Sequence, residues 1–269
     1  TGGTGFIGRW LLETINRANA SMDVNIHVTI LTRNAHNYGL KAPHLASAVN
    51  FELLEGDVTD FSFPTEAYSH IIHGATDASA WLNENDPKKM FDVVVEGTRR
   101  VLEFAANQND CIVLLMSSGA IYGQQPWEEE QVSEDYRGSP DCINPTNTYA
   151  EAKRAAEMLC AIYCKQYGVR FVSARIFALL GPFLPFDIHF AAGNFIRDAL
   201  EGKDIIVRGD GRPVRSYLYT TDLVIWLITI LVLGGDSTAV NVGSDEAVSI
   251  GALAKKVATL VGDGRHEIL

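Results

Sequence analysis

Short apolar runs rich in β-branched residues recur at 26–31, 51–54, 70–73, 112–116 and 169–174, and each is followed by the spacing of a helix. That alternation predicts βαβ units built on a parallel sheet. Between the third and fourth runs, Pro87–Ala106 carries a helical pattern, and 149–167 carries another dominated by Ala, Glu, Lys and Leu. Both are long enough to cross a sheet face. After Arg175 the texture changes: Gly181-Pro182, Pro185, Gly202-Lys203-Asp204 and Gly209-Asp210-Gly211 break the chain into shorter pieces, which predicts a second lobe. The most apolar stretch, 223–233, opens after Asp222 and falls far short of the roughly 20 residues a membrane helix needs. It reads as a buried helix.

With 269 residues, 47% of them hydrophobic and 20% charged, the chain can bury a full core. At roughly 150 residues per domain it makes one large domain, or one domain with a smaller lobe. The net charge of −11 and the lack of any basic run disfavour nucleic acid and anionic membranes as partners, so an anionic ligand must be held locally. Glu128-Glu129-Glu130, the one charge run, lies in a polar loop over 124–148 and reads as solvated. Four cysteines, Cys111, Cys142, Cys160 and Cys164, form no CxxC pair, and Cys160 and Cys164 fall on one helix face. Reduced thiols and a cytoplasmic setting are expected. No signal or transit pattern is visible. His70 and His73 flank two isoleucines and point to opposite faces of a strand, so no metal site is expected there or elsewhere.

Glycines stand at positions 2, 5 and 8 in Thr1-Gly2-Gly3-Thr4-Gly5-Phe6-Ile7-Gly8, directly before the helix start Arg9-Trp10-Leu11-Leu12. Backbone can approach a pyrophosphate there, and the helix N-terminus supplies N–H groups and partial positive charge. An ordinary flexible turn is the competing reading, because the strand that should precede such a turn is missing. Where an acid would hold the ribose of NAD, after the next strand, Thr32-Arg33-Asn34 offers Arg33. A guanidinium pairs with a 2′-phosphate, which favours NADP over NAD; a plain surface arginine is the alternative. Gly56-Asp57-Val58 closes the following strand, with Asp57 placed to accept from an adenine amino group.

Tyr149 and Lys153, at i and i+4, share a helix face. A phenol titrates near 10 and is a poor base at neutral pH, but a neighbouring ammonium favours the phenolate. Ser117-Ser118 ends an apolar run, which delivers a hydroxyl at the carboxyl end of a strand, where ligands of open α/β sheets collect. Ser118 is placed to orient a substrate hydroxyl. A helix-surface tyrosine beside a solvated lysine is the bland alternative; here the pair follows a glycine turn and a strand-end serine in order.

Residues 1–8, Ser117-Ser118-Gly119-Ala120-Ile121-Tyr122-Gly123, 149–153, Gly97-Thr98, 212–222 and Asn241-Val242-Gly243 together resemble the extended short-chain dehydrogenase/reductase family of NAD(P)-dependent nucleotide-sugar epimerases and dehydratases. The resemblance implies an α/β fold: a doubly wound, Rossmann-like parallel sheet over 1–176 that lacks its first strand, and a smaller nucleotide-sugar-binding lobe over 177–269. That lobe would be partly interleaved with the first and end short of its usual length. It further implies Ser118, Tyr149 and Lys153 as the catalytic triad. Gly2, Gly5, Phe6, Ile7, Gly8, Arg33, Asp57, Val58, Ala75, Tyr149 and Lys153 would hold NAD or NADP, and Ser118, Asn194 and Arg215 the nucleotide-diphosphate sugar. A homodimer would form through the helices bearing Gly97 and Tyr149.

Departures narrow the chemistry. Dehydrating members of the family carry acids just after the catalytic hydroxyl, decarboxylating members tend to carry one there, and members that epimerise beside the ketone use a cysteine; here the positions are Gly119 and Ala120. Neither transfers a proton, so hydride transfer alone remains. Two positions that are usually asparagine hold Val94 and Ala178. The expected activity is nucleotide-sugar epimerisation by transient oxidation at the sugar 4-position. A 4-ketoreductase, then a 4,6-dehydratase-like enzyme, are the alternatives, and a non-catalytic NAD(P)-binding sensor or scaffold is the rival outside enzymes. Asp187 and His189 fall in a segment that could line the sugar pocket, but read as loop.

Overall fold

The computed structural model describes every residue except 77–79, 127, 128, 130, 187–189, 236 and 262–267. Asp187 and His189, and Glu128 and Glu130 of the acidic run, therefore lie outside the described residues. Chain contacts separate two units: Thr1–Ile176 with Val224–Asn241, and Phe177–Leu223 with Val242–Leu269.

In the first unit the chain alternates α1 (Phe6–Ser21), β1 (Val28–Thr32), α2 (Ala35–Lys41), α3 (Pro43–Ala46), β2 (Phe51–Glu55), β3 (His70–His73), α4 (Ala80–Asn85), α5 (Pro87–Ala106), β4 (Ile112–Ser118), α6 (Thr148–Tyr167) and β5 (Arg170–Ile176). β1 pairs with β2 in parallel, and β3-β4-β5 form a parallel run that β8 (Thr238–Val242) extends beside β5. Thr1 continues the pattern next to β3: its nitrogen donates to the Ile72 carbonyl and its carbonyl accepts from Gly74 N–H. Helices linking parallel strands satisfy the crossover requirement of such sheets.

The core follows from the apolar periods. Met90, Val94, Leu102 and Ala105 of α5 meet Ala152, Ala156, Leu159 and Cys160 of α6 over Val113 and Leu115 of β4 and Phe171 of β5. The other side of α5 sends Val101 and Phe104 against Leu31, Val58 and Phe61. Burying each large aliphatic side chain contributes about 1.5–3 kcal/mol. α5 starts where Asp86 accepts from the Lys89 N–H and Pro87 takes the first helical position, both favoured helix-start devices.

Two expectations shift. The first apolar run begins at Ile26, yet β1 begins at Val28, because the Asn19 side chain donates to the Ile26 carbonyl and accepts from its N–H, leaving Ile26 exposed outside the ladder. The apolar stretch 223–233 lies in α8 (Thr220–Leu233) and is buried on one side only: Leu223, Val224, Leu227, Ile230 and Leu231 are covered, while Ile225, Trp226, Val232 and Leu233 are exposed. Composition gave no polar face to mark that side.

In the second unit β6 (Ala178–Leu180) runs parallel to β7 (Val214–Tyr219), and β7 pairs antiparallel with β9 (Ala247–Ser249). α7 (Ala191–Leu200) and α9 (Ile250–Leu260) complete it, with Ile205 bridged to Ile268.

Candidate active site

The glycine turn is shaped by close backbone approach. Gly2 sits at φ +76°, and a Cβ there would come 2.5 Å from the Gly74 carbonyl carbon and 2.8 Å from Ala75 N. Only glycine combines that conformation with that contact. Gly5 N–H closes the turn on the Gly2 carbonyl at 3.0 Å, and a Cβ on Gly8 would overlap the Gly2 carbonyl oxygen. Gly5 caps α1 without a side chain, and the first helical turn holds no acid. The first-turn N–H groups of a 16-residue helix thus meet no competing oxygen from the cap. These residues fit an anionic diphosphate of a dinucleotide, and they supply the dipole and donors one requires.

Behind the turn runs a buried hydrogen-bond chain. Ala75 N–H donates to Thr1 Oγ1 at 3.2 Å; Thr1 Oγ1 lies 2.8 Å from His73 Nδ1; His73 Nε2 lies 3.0 Å from Thr98 Oγ1, which donates to the Val94 carbonyl at 2.7 Å. The Thr98 proton goes to Val94, so Nε2 carries the imidazole proton and Nδ1 accepts from Thr1. Burial, aided by the Lys153 charge, holds His73 well below its ordinary value, in keeping with a neutral ring. Val94, where an asparagine was expected, is packed in the apolar core of α5.

At the ends of β1 and β2, Arg33 is exposed and Asn34 caps α2 by accepting from Asn37 N–H. Asp57 Oδ1 accepts from the Thr59 N–H at 3.0 Å and hydroxyl at 2.7 Å. The Thr59 N–H first, with a contribution from the Arg33 charge, holds the Asp57 carboxyl below its usual range. Val58 is buried and packs on Gly97 of α5. Arg33 and Asp57 are thus close enough to interact, on the same end of the sheet as the glycine turn.

Ser118 ends β4 and caps the 3-10 turn Gly119–Tyr122, its Oγ accepting from Ala120 N–H at 3.2 Å. Its hydroxyl lies near enough to the Tyr149 phenol to favour the ionised form. Tyr149 is fixed at the start of α6, where its N–H donates to Asn83 Oδ1 at 3.0 Å while Asn83 Nδ2 donates to the Thr146 carbonyl at 2.8 Å. Lys153 is buried, with Nζ 5.9 Å from the Tyr149 ring centre and donating at 2.8 Å to both the Met116 carbonyl and Thr76 Oγ1. The structure therefore brings Ser118, Tyr149 and Lys153 together.

The electrostatics differ from expectation. Burial pushes the Tyr149 phenol above its ordinary value, opposed by Ser118, and burial draws Lys153 down to about 8. The expected drop of the phenol is replaced by a rise from desolvation, and Lys153 turns its donors to Met116 and Thr76.

Asn194 and Arg215 belong to the second unit. Asn194 is half-buried in the first turn of α7; Arg215 is exposed on β7, with Nη1 donating to the Val214 carbonyl. Ala178 opens β6.

Residues that sequence reasoning did not select also gather here. Glu157, one turn beyond Lys153, accepts from Ser173 Oγ at 2.9 Å, Arg175 Nε at 3.2 Å and Arg175 Nη2 at 2.9 Å. Arg175 Nη1 donates to Tyr122 Oη at 2.7 Å, and Tyr122 donates to Asn241 Oδ1 at 2.7 Å. The available signal was a charged residue inside an apolar strand and an acid four residues after Lys153, both of which demand partners when buried. Among the described residues, no cluster of three His, Cys, Asp or Glu is arranged for a metal, and no helix is long and apolar enough to cross a membrane.

A family model described as the NAD dependent epimerase/dehydratase family matches residues 1–243. The chain belongs to that family. It is 33% identical over 264 residues to UDP-glucuronic acid decarboxylase 1 of Xenopus tropicalis, covering 98% of this chain and 60% of that protein. It is 32% identical over 262 residues to UDP-glucuronic acid decarboxylase 6 of Arabidopsis thaliana, covering 97% and 73%. Among solved structures, a UDP-glucuronic acid 4-epimerase from Bacillus cereus, in complex with UDP-glucuronic acid and NAD, superposes with a TM-score of 0.85 at 21% identity, covering 100% of this chain and 83% of that one. A UDP-glucose 4-epimerase of Thermus thermophilus complexed with NAD gives 0.79 at 24% identity, with 100% and 84% covered. The fold is a mixed α/β one with a Rossmann-type parallel sheet.

Proposed function

We propose that this chain carries the oxidoreductive centre of an NAD(P)-dependent nucleotide-sugar epimerase that works by transient oxidation at the sugar 4-position. The observation that carries this reading is the Tyr149 hydroxyl beside Ser118, with the Lys153 ammonium one helical turn away and no proton-transferring side chain at Gly119 or Ala120. Gly2, Gly5, Phe6, Ile7 and Gly8 would hold the cofactor's diphosphate, and Arg33, Asp57, Val58 and Ala75 its adenosine end. When bound, the nicotinamide supplies the hydride acceptor and donor.

The residues of the chain then handle protons. Ser118 orients the sugar 4-hydroxyl beside Tyr149, whose ionised oxygen takes the hydroxyl proton as the carbon is oxidised and returns it when the carbon is reduced. The raised phenol favours the return step; the charge of Lys153 favours the removal. Asn194 and Arg215 would bind the nucleotide diphosphate, the guanidinium by paired donors. Arg33 supports NADP; the NAD in the similar structures supports NAD. A homodimer through α5 and α6 belongs to the same reading.

The sequence relatives support a second reading. Oxidation at C4 of a UDP-glucuronic acid creates a ketone β to the carboxylate, which loses carbon dioxide without an acid at position 119 or 120. The test for both incubates the protein with UDP-glucose and UDP-glucuronic acid and either cofactor, following 340 nm absorbance, carbon dioxide and chromatographed product. Epimer without net absorbance change upholds the first reading. Carbon dioxide with a UDP-pentose replaces it by the second, and loss of NAD(P)H matched by alcohol formed from an added UDP-4-keto sugar makes the protein a reductase.

A further inference from the structure

We propose that Glu157, locked in place by Arg175, is a positioning residue that keeps the buried Lys153 amine charged. The inference rests on the reading above, in which Tyr149 and Lys153 serve the chemistry. Tyr149, Lys153 and Glu157 follow at four-residue steps along one stripe of α6, which places the carboxylate on the turn next to the amine. The two groups that bind Nζ directly, the Met116 carbonyl and the Thr76 hydroxyl, are neutral. They satisfy donors and, as neutral dipoles, offset only part of the cost of a buried charge.

Glu157 supplies the offset. Its two oxygens are held by Ser173 and by a two-pronged contact from Arg175, so the carboxylate is fixed between β5 and α6. Burial pulls this carboxyl upward, and Arg175, by its hydrogen bonds and charge, together with the Ser117 and Ser173 hydroxyls, outweighs it, so it stays below its ordinary value and ionised. Arg175 is itself pinned by Tyr122 Oη and the Glu134 carbonyl at 2.9 Å. Asn241 then ties Tyr122 to the loop, donating from Nδ2 to the Val132 carbonyl at 2.7 Å and from its N–H to Glu134 Oε1 at 2.8 Å. Among the described residues, the ionisable groups around Lys153 are Tyr149 and Glu157 from its own helix, neutral His73 from β3, and Arg175 from β5 behind Glu157. Of these, Glu157 brings the negative charge: burial lowers the Lys153 amine and Glu157 raises it.

The test uses ligand-free protein carrying 13C at the lysine Cε, with the Lys153 resonance assigned by its loss in K153R and followed against pH. In E157Q the Lys153 midpoint is expected to fall by about half a unit or more. S173A, which removes a hydrogen bond but no charge, leaves the midpoint in place. E157Q/R175M, which avoids an orphaned guanidinium, gives the lowered midpoint even where E157Q folds poorly. On a turned-over nucleotide sugar, the alkaline limb of kcat moves down with the midpoint while KM changes little. An unmoved Lys153 midpoint in both Glu157 variants overturns the proposal. Absence of turnover by the unaltered protein would defeat the functional reading alone, because the titration is read without substrate.

Discussion

Tyr149 and Lys153 stand one turn apart on α6, yet Lys153 aims two of its donors at Met116 and Thr76, and its nitrogen lies 5.9 Å from the tyrosine ring centre. The hydroxyl that acts on the phenol is instead that of Ser118. In the proposed reaction the lysine acts on the phenol by charge across this gap and not through a hydrogen bond.

Tyr149→Phe keeps the ring and removes the proton-carrying oxygen. Turnover is expected to fall by about 10²–10⁴, the usual range for a lost acid–base group, with a melting temperature within a few degrees of the parent. A Phe variant that retains more than a tenth of the activity would show that Tyr149 does not carry the proton.

Two glycines distinguish close approach from open space. Gly8→Ala drives a Cβ into the Gly2 carbonyl and should cost about 1–3 kcal/mol by overpacking, together with most of the cofactor affinity. Gly39→Ala, in α2 with nothing within 4 Å of the new Cβ, should stabilise by up to about 1 kcal/mol. Urea denaturation and calorimetric cofactor titration measure both. Equal effects of the two substitutions would refute the packing argument.

Thr98→Val preserves shape but removes the oxygen that receives the His73 proton. A buried N–H without an acceptor costs about 1–3 kcal/mol. Because the same chain of bonds ends on Thr1 and Ala75 beside the glycine turn, weaker cofactor binding should accompany the loss. Unchanged denaturation midpoint and affinity would remove His73 from that role.

His73 also sets an acid limit. Its folded-state value lies well below the ordinary 6.5, so as pH drops beneath 6.5 the unfolded chain binds a proton that the native state does not, and stability falls. The slope for this group approaches about 1.4 kcal/mol per pH unit. Glu157, held below 4.5, adds stability that is present above that value and is lost at lower pH still. Urea midpoints at pH 7.5 and 5.5 should differ less in His73→Gln than in the parent; identical differences would contradict a buried neutral imidazole.

The local features were legible in the sequence. The glycine turn, the strand-end Ser118 and the Tyr149/Lys153 spacing are each encoded within a few residues, and the structure brings the last three together. What depends on distant neighbours was not legible. Glu157 meets Arg175 only because β5 lies against α6, and the Tyr149 phenol rises through burial, which spacing does not report. β1 starts late because Asn19, on the preceding helix, takes the backbone of Ile26 out of the ladder. The exposed half of α8 escaped notice because both halves are apolar.

The chain leaves the first unit at Ile176 and returns for Val224–Asn241, and that second visit delivers β8 and the Asn241 side chain bound to Tyr122. During synthesis, then, the nascent sheet waits with β5 as a raw border while the intervening 47 residues from Phe177 to Leu223 emerge. The anchor under Arg175 is set only after that whole intervening segment has emerged, so the centre cannot be completed as its own residues are made.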